Sequence, residues 1–264
     1  MIYNSLSIAG TDPTGGAGIH ADLKVFSALG NYGAAVITAL VAQNTCVVQS
    51  IYNLPGEVVA SQLESVLTDV KIDSVKIGML SNTTNICVVA ALQKYSLSFI
   101  VLDTVMLSKS GISLLDINAI DSFINILLPQ VSLITPNLPE AAVLLKCAVA
   151  RNEKEMISQG RKILSLGCPA VLMKGGHLNN KESPDWLVTE SGEWRYSLPK
   201  VRTQHTHGTG CTLSAALAAQ RPYFNNWHDT IIAAKDYVQN TLKHANRLCV
   251  GEGIGPVHHF YAWW

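Results

Sequence analysis

The residues best placed to do chemistry gather in His207-Gly208-Thr209-Gly210-Cys211-Thr212, with Leu213, Ala216 and Leu217 following at helical spacing. This is a glycine-rich turn opening a helix. Glycines let backbone N–H groups approach an anion closely, and the first helical turn adds unpaired donors and positive dipole character. The same field would lower the pKa of the Cys211 thiol. By itself the motif also fits a tight turn in which a small buried cysteine caps a helix, and both readings stand.

A second glycine-rich run, Gly10-Thr11-Asp12-Pro13-Thr14-Gly15-Gly16-Ala17-Gly18, precedes a helical pattern through Asp22 and Leu29. It lacks the Gly-Lys-Ser/Thr ending of a Walker A loop. Gly16, Gly18 and Ala21 have dinucleotide-fingerprint spacing, but no acidic ribose reader follows a clean second strand. Close substrate contact or chain reversal remain. In Asn137-Leu138-Pro139-Glu140 a carboxylate sits just inside a helix, where it can cap the N-terminus or hold a magnesium-bound water. Asp103 ends an apolar run and Lys174, before Gly175-Gly176, ends another. Two carboxylates and a cation on one edge would suit magnesium and phosphate.

The elements that must position these residues are short β-rich runs alternating with helical segments, the pattern of a mostly parallel sheet covered on both faces. The strands are read at 6–9, 34–40, 74–77, 99–102, 131–134 and 170–173. In such a sheet, ligands bind at the carboxyl ends of the strands, where Gly10, Gly78, Asp103, Thr135 and Lys174 stand. Val59, Leu63, Val66, Leu67 and Val70 form one buried helical stripe, and Ile231, Ala234, Val238 and Leu242 another, with no cofactor box implied. Residues 186–198, turning at Ser191-Gly192, read as a local hairpin that could serve as a flap beside the site. Without a repeat or a Pro/Gly/Ser-rich linker, the chain is read as one α/β domain over 1–264.

Composition narrows the function. Of 264 residues 48% are hydrophobic and 14% charged, enough to bury a sizeable core. Lys plus Arg and Asp plus Glu both number 19, so the excess positive charge of a nucleic-acid binder is missing. The longest apolar stretch, 32–42, is short for a membrane span, and residues 1–10 lack a signal-peptide pattern, so no membrane partner and a cytoplasmic location are expected. The six cysteines lie at least 21 residues apart, unlike zinc-ligand pairs. His258-His259 cannot readily chelate one ion from an extended segment, whose adjacent side chains diverge, and the expected role is a tail packing Phe260 and the tryptophans. His205 and His207 flank the anion turn, and positioning that loop is the role expected of them.

Five stretches in order carry a resemblance: Ser7-Ile8-Ala9-Gly10 through Gly18, Thr38-Ala39-Leu40-Val41-Ala42-Gln43-Asn44-Thr45, Lys76-Ile77-Gly78-Met79-Leu80, Thr135-Pro136-Asn137-Leu138-Pro139-Glu140-Ala141, and Gly208 to Cys211. Together they resemble the ribokinase-like fold, and within it the hydroxymethylpyrimidine/phosphomethylpyrimidine kinases of bacterial thiamine biosynthesis. The resemblance implies a three-layer α/β/α kinase with a small hairpin flap. It also implies an ATP- and Mg2+-dependent enzyme that phosphorylates 4-amino-5-hydroxymethyl-2-methylpyrimidine and then its monophosphate. Gly208, Thr209 and Gly210 would form the anion hole, and Cys211 occupies the catalytic-base position, where other ribokinase-like enzymes generally have aspartate. Gln43 would read the aminopyrimidine, with Gly10, Asp22, Met79 and Val105 lining the pocket. Lys174 would contact ATP phosphates, Asp103 and Glu140 would organise magnesium, and a homodimer is implied. His20 departs from the pattern, since many members carry glutamine there. The alternatives are a pyridoxal or pyridoxine kinase and a non-catalytic sensor of pyrimidine or nucleotide. The Gln43 amide, donor beside acceptor, favours an amino group next to a ring nitrogen.

Overall fold

The computed structural model describes residues 1–106, 114–179 and 181–264. Its eight-stranded sheet comprises β1 (Asn4–Ala9), β2 (Tyr32–Ile37), β5 (Ser74–Ile77), β6 (Ile100–Leu102), β7 (Leu133–Ile134), β8 (Ala170–Lys174), β9 (Glu182–Thr189) and β10 (Gly192–Pro199). A separate hairpin pairs β3 (Ala39–Gln43) with β4 (Val48–Asn53). The large sheet runs in the order β10-β9-β8-β7-β6-β5-β1-β2, parallel from β2 to β8, with β9 and β10 antiparallel at one edge. The helices are α1 (Gly18–Ala28), α2 (Gly56–Leu67), α3 (Thr83–Ala90), the single turn α4 (Ile120–Ser122), α5 (Leu138–Leu145), α6 (Glu153–Leu164), α7 (Thr209–Gln220) and α8 (Trp227–Lys243).

Side-chain alternation along each strand feeds two cores. In β8, Val171 and Met173 point to the layer holding Val59 of α2, Ile86 of α3 and Ile163 of α6. Ala170 and Leu172 point to the layer of Val25 and Phe26 from α1, Leu217 from α7 and Ile231 from α8. The three-layer α/β/α architecture agrees with the expectation. Among the described residues no helix is long and apolar enough to cross a membrane.

Two local expectations need correction. The run 34–40 is not one strand: the chain leaves the sheet at Thr38, whose N–H donates to the Ala9 carbonyl and whose hydroxyl donates to that of Met79 (2.7 Å). The run is apolar but for Thr38 and carries no periodicity that would reveal such a bend. Residues 186–198 do form a hairpin, but it is no flap. β9 pairs with β8 from Ala170↔Thr189 to Lys174↔Asp185, and its Leu187 and Val188 enter opposite cores, so it extends the sheet. The projecting hairpin is β3–β4.

Candidate active site

A cavity of about 370 Å³ opens at the carboxyl ends of β1, β5 and β6 beneath the β3–β4 hairpin. Its walls include Gly10, Gln43, Met79 and Val105 on one side, and Gly208, Thr209, Gly210 and Cys211 on the other. A Cβ on Gly10 would lie 3.1 Å from the Met79 sulfur, so any larger residue there would press that thioether back by a few tenths of an ångström. Gln43 ends β3 at a register irregularity and lines the cavity. Asp22 is not a lining residue. Its carboxylate is fully buried behind the wall, accepting from Ser7 Oγ (2.6 Å) and Lys76 Nζ (2.7 Å). His20 does not line the cavity either, and its Nδ1 accepts the Asp12 N–H.

Gly208 takes φ +77°, and a Cβ on it would collide with the Gly16 carbonyl, so the turn tolerates only glycine. From this left-handed residue α7 begins, and its first-turn N–H groups have no acceptor within the helix. Here the expectation of a low-pKa thiol fails. Burial pushes Cys211 up to about 11, and the Lys76 ammonium and a Gly18 backbone bond counter this only in part. Cys211 is half-buried in the cavity wall, and there desolvation of the thiolate outweighs the pull of the helix N-terminus.

The charged groups converge as expected at the strand ends. Asp103 Oδ1 accepts from Lys174 Nζ (3.0 Å) and Oδ2 from Ser214 Oγ (3.1 Å). Burial opposes its charge, yet Lys174 and Lys76 hold its carboxyl below the usual range. Glu140 is a helix cap: Asn137 N–H and the Thr104 hydroxyl donate to its Oε2 at 2.8 and 2.7 Å, and Asn137 Oδ1 accepts the Glu140 N–H. Burial pushes its carboxyl up. Lys76, the residue that sequence reasoning passed over, lines the cavity beside these groups although it is fully buried. Asp22 holds its ammonium above the ordinary lysine range against the cost of burial. A lysine between Val75 and Ile77 of a short central strand was the available signal.

A second cavity of about 680 Å³ adjoins the first. The two share Asn137, Glu140, Lys174, Thr209, Gly210 and Ile254, whereas Cys211 borders only the first. The second is walled by Leu198, Val201, Leu213, Val238 and Leu242. The α8 stripe is therefore not purely core, because Val238 and Leu242 border a cavity. His207 pairs with Asp12 (2.7 Å). His258 and His259 are buried and diverge: His259 Nε2 meets the Thr212 hydroxyl (3.1 Å), while the His258 ring lies against Trp264. The tryptophans expected to pack on the domain, Trp263 and Trp264, remain exposed.

Residues 12–258 match the family model described as phosphomethylpyrimidine kinase. The hydroxymethylpyrimidine/phosphomethylpyrimidine kinase of Escherichia coli (strain K12) is 61% identical over 262 residues, covering 99% of this chain and 98% of that protein. The crystal structure of phosphomethylpyrimidine kinase from Clostridium difficile 630 superposes with a TM-score of 0.79 at 39% identity, covering 90% of this chain and 98% of the other. The ADP complex of Bacillus subtilis pyridoxal kinase gives 0.91 at 30% identity and 99% coverage of both chains.

Proposed function

This chain belongs to the phosphomethylpyrimidine kinase family, and from that premise we infer that it phosphorylates 4-amino-5-hydroxymethyl-2-methylpyrimidine to the monophosphate and then to the diphosphate, for thiamine biosynthesis. ATP is the donor, and the cytoplasm, where ATP is available, is the place of action. The observation that carries this reading is the pair of cavities meeting at Lys174, Glu140 and the Thr209-Gly210 turn, with Cys211 on one side alone. One cavity suits a small acceptor and the other a nucleotide, so the γ-phosphoryl group would lie at the junction.

In this reading Gln43 reads the amino group and ring nitrogen of the acceptor, Met79 and Val105 pack its ring, and Gly10 lets it approach the backbone. The hydroxymethyl group then points toward Cys211. As its oxygen bonds to the γ-phosphorus, the bond from that phosphorus to the bridging oxygen breaks and ADP leaves, while the thiolate form of Cys211 takes the proton and becomes a thiol. N–H groups at Gly208 to Cys211 and the Lys174 ammonium meet charge developing on the phosphoryl oxygens. The donor set fits magnesium: the Asp103 and Glu140 carboxylates both face the cavity beside Lys174, and Mg2+ is ordinarily held by one or two carboxylates, waters and phosphates. Asp103 and Glu140 would hold it, and when bound it neutralises phosphate charge.

Product formation from ATP and the pyrimidine, followed by mass spectrometry, tests the reading. Binding of both without phosphorylated product would mark a sensor instead. Likeness to a pyridoxal kinase makes pyridoxine the competing acceptor to assay, and a higher kcat/KM for it would reverse the assignment. The implied homodimer belongs to the proposal, and sedimentation of a monomer at micromolar concentration would remove it.

A further inference from the structure

Transfer between two ligands held by different loops requires those loops to keep a fixed register, and one side-chain contact joins them across most of the chain. Asp12 lies in the first glycine turn, fully buried. Its Oδ1 accepts from the Thr14 N–H and hydroxyl at 2.9 and 2.8 Å, and its Oδ2 from the N–H groups of Gly16 and Ala17 at 3.2 and 2.8 Å. A further partner of Oδ2 comes from outside that turn: His207 Nε2, at 2.7 Å and 195 positions away in sequence. Burial pushes the Asp12 carboxyl up, yet hydrogen bonds from His207 and Thr14 bring it down to about 2, so it is an anion that requires donors.

His207 is itself held in place. Its N–H donates to the Gly255 carbonyl (3.0 Å) and its carbonyl accepts from Val257 N–H (3.4 Å). Gly16 fits against it without room to spare, since a Cβ there would lie 2.6 Å from His207 Cδ2 and 3.0 Å from Pro256 Cβ. Next to His207, Gly208 meets the Gly16 carbonyl so closely that no side chain fits. The two glycine turns thus dovetail, and His207 is the side chain that pins them.

We propose that His207, through its bond to Asp12, is a positioning residue that keeps the acceptor-binding turn and the phosphate-binding turn in register for transfer. This rests on the kinase reading given above. Gly10, Thr11, Ala17 and Gly18 form one wall of the cavity and Gly208 to Cys211 the facing wall, with His207 at its edge; in the kinase reading the acceptor would lie against the first and the phosphoryl group against the second. A shift of about 1 Å between reacting groups can cost 10²-fold in rate. In that reading Gln43, Met79 and Val105 supply most of the acceptor's binding and lie in neither turn, so loss of register changes kcat more than either KM. The imidazole donates from Nε2 in the neutral Nε2–H tautomer and in the imidazolium alike, and a glutamine side chain carries an N–H with similar reach.

The test compares His207→Ala with His207→Gln by steady-state kinetics and by hydrogen exchange of the backbone amides at 12–17 and 207–211. His207→Ala is expected to lower kcat by about 10²-fold for both alcohol and monophosphate, to leave both KM values within about threefold, and to speed exchange in the two turns together. His207→Gln is expected to recover at least tenfold in kcat. In an Asp12→Ala background, which removes both acceptor oxygens, His207→Ala is expected to have no further effect, in the manner of a double-mutant cycle. A raised KM for one substrate with unchanged kcat would make His207 a binding contact and overturn the proposal. So would unchanged exchange at 12–17 in His207→Ala, a readout that does not depend on what the wild-type protein phosphorylates. Absence of turnover in the wild-type protein, with the exchange coupling intact, would refute the kinase reading and leave the pin standing.

Discussion

Replacing Cys211 by alanine separates the two transfers, because their nucleophiles differ in the help they need. The alcohol must lose its proton as the bond to phosphorus forms, and a positioned base contributes about two to four orders of magnitude. The monophosphate, with a second pKa of about 6, is already ionised near neutrality. Cys211→Ala should therefore slow the first transfer by about 10²- to 10⁴-fold and the second by less than about tenfold. Burial adds a pH condition. A thiol pushed up to about 11 is ionised in about one molecule in 10⁴ at pH 7 and about one in 10² at pH 9. The sign follows directly: a thiol becomes the competent thiolate as pH rises, so the wild-type first transfer should gain about 100-fold between pH 7 and 9, while the second stays nearly level. Rapid-quench single-turnover rates for each acceptor, at saturating ATP and Mg2+, provide the assay. Equal large losses in both transfers, or a first-transfer profile level from pH 7 to 9, would refute Cys211 as the base.

Gln43→Ala should raise KM for the pyrimidine by about 10- to 100-fold and leave KM for ATP within about twofold, and equal weakening of both in initial-rate assays would exclude it as the base reader. His259 should make the fold acid-sensitive. Burial lowers its pKa from 6.5 to about 3, so below pH 6.5 the unfolded chain binds a proton the folded one refuses, and stability falls by about 1.4 kcal/mol per pH unit down to about pH 3. Urea unfolding from pH 7 to 4 should show a shallower decline for His259→Gln, and identical slopes would contradict this. Lys76→Met strips a buried carboxylate of its partner and should cost about 3–5 kcal/mol, partly restored by Asp22→Asn. A loss under about 1 kcal/mol in the same unfolding assay would show that Asp22 does not rely on Lys76.

Much of this protein was legible in its sequence because the signals are local. Strand alternation, the two glycine turns, the Asn137/Glu140 cap and the placing of Asp103 and Lys174 at strand ends depend on neighbours a few residues apart, and backbone geometry acts over that range. The ordered motifs carried the family with them. What tertiary structure decided is everything that depends on partners distant in sequence or on exclusion of water. The bend at Thr38 is set by carbonyls of Ala9 and Met79, which lie far from it along the chain. The hairpin at 182–199 joins the sheet because β8 offers it an edge and both its faces find a core. Asp22 sits behind the cavity because Lys76, 54 positions on, draws it there. Cys211 stands at a helix N-terminus, as its motif foretold, but its protonation follows from how much water the folded walls exclude, and desolvation is a property of packing that no short stretch of residues encodes.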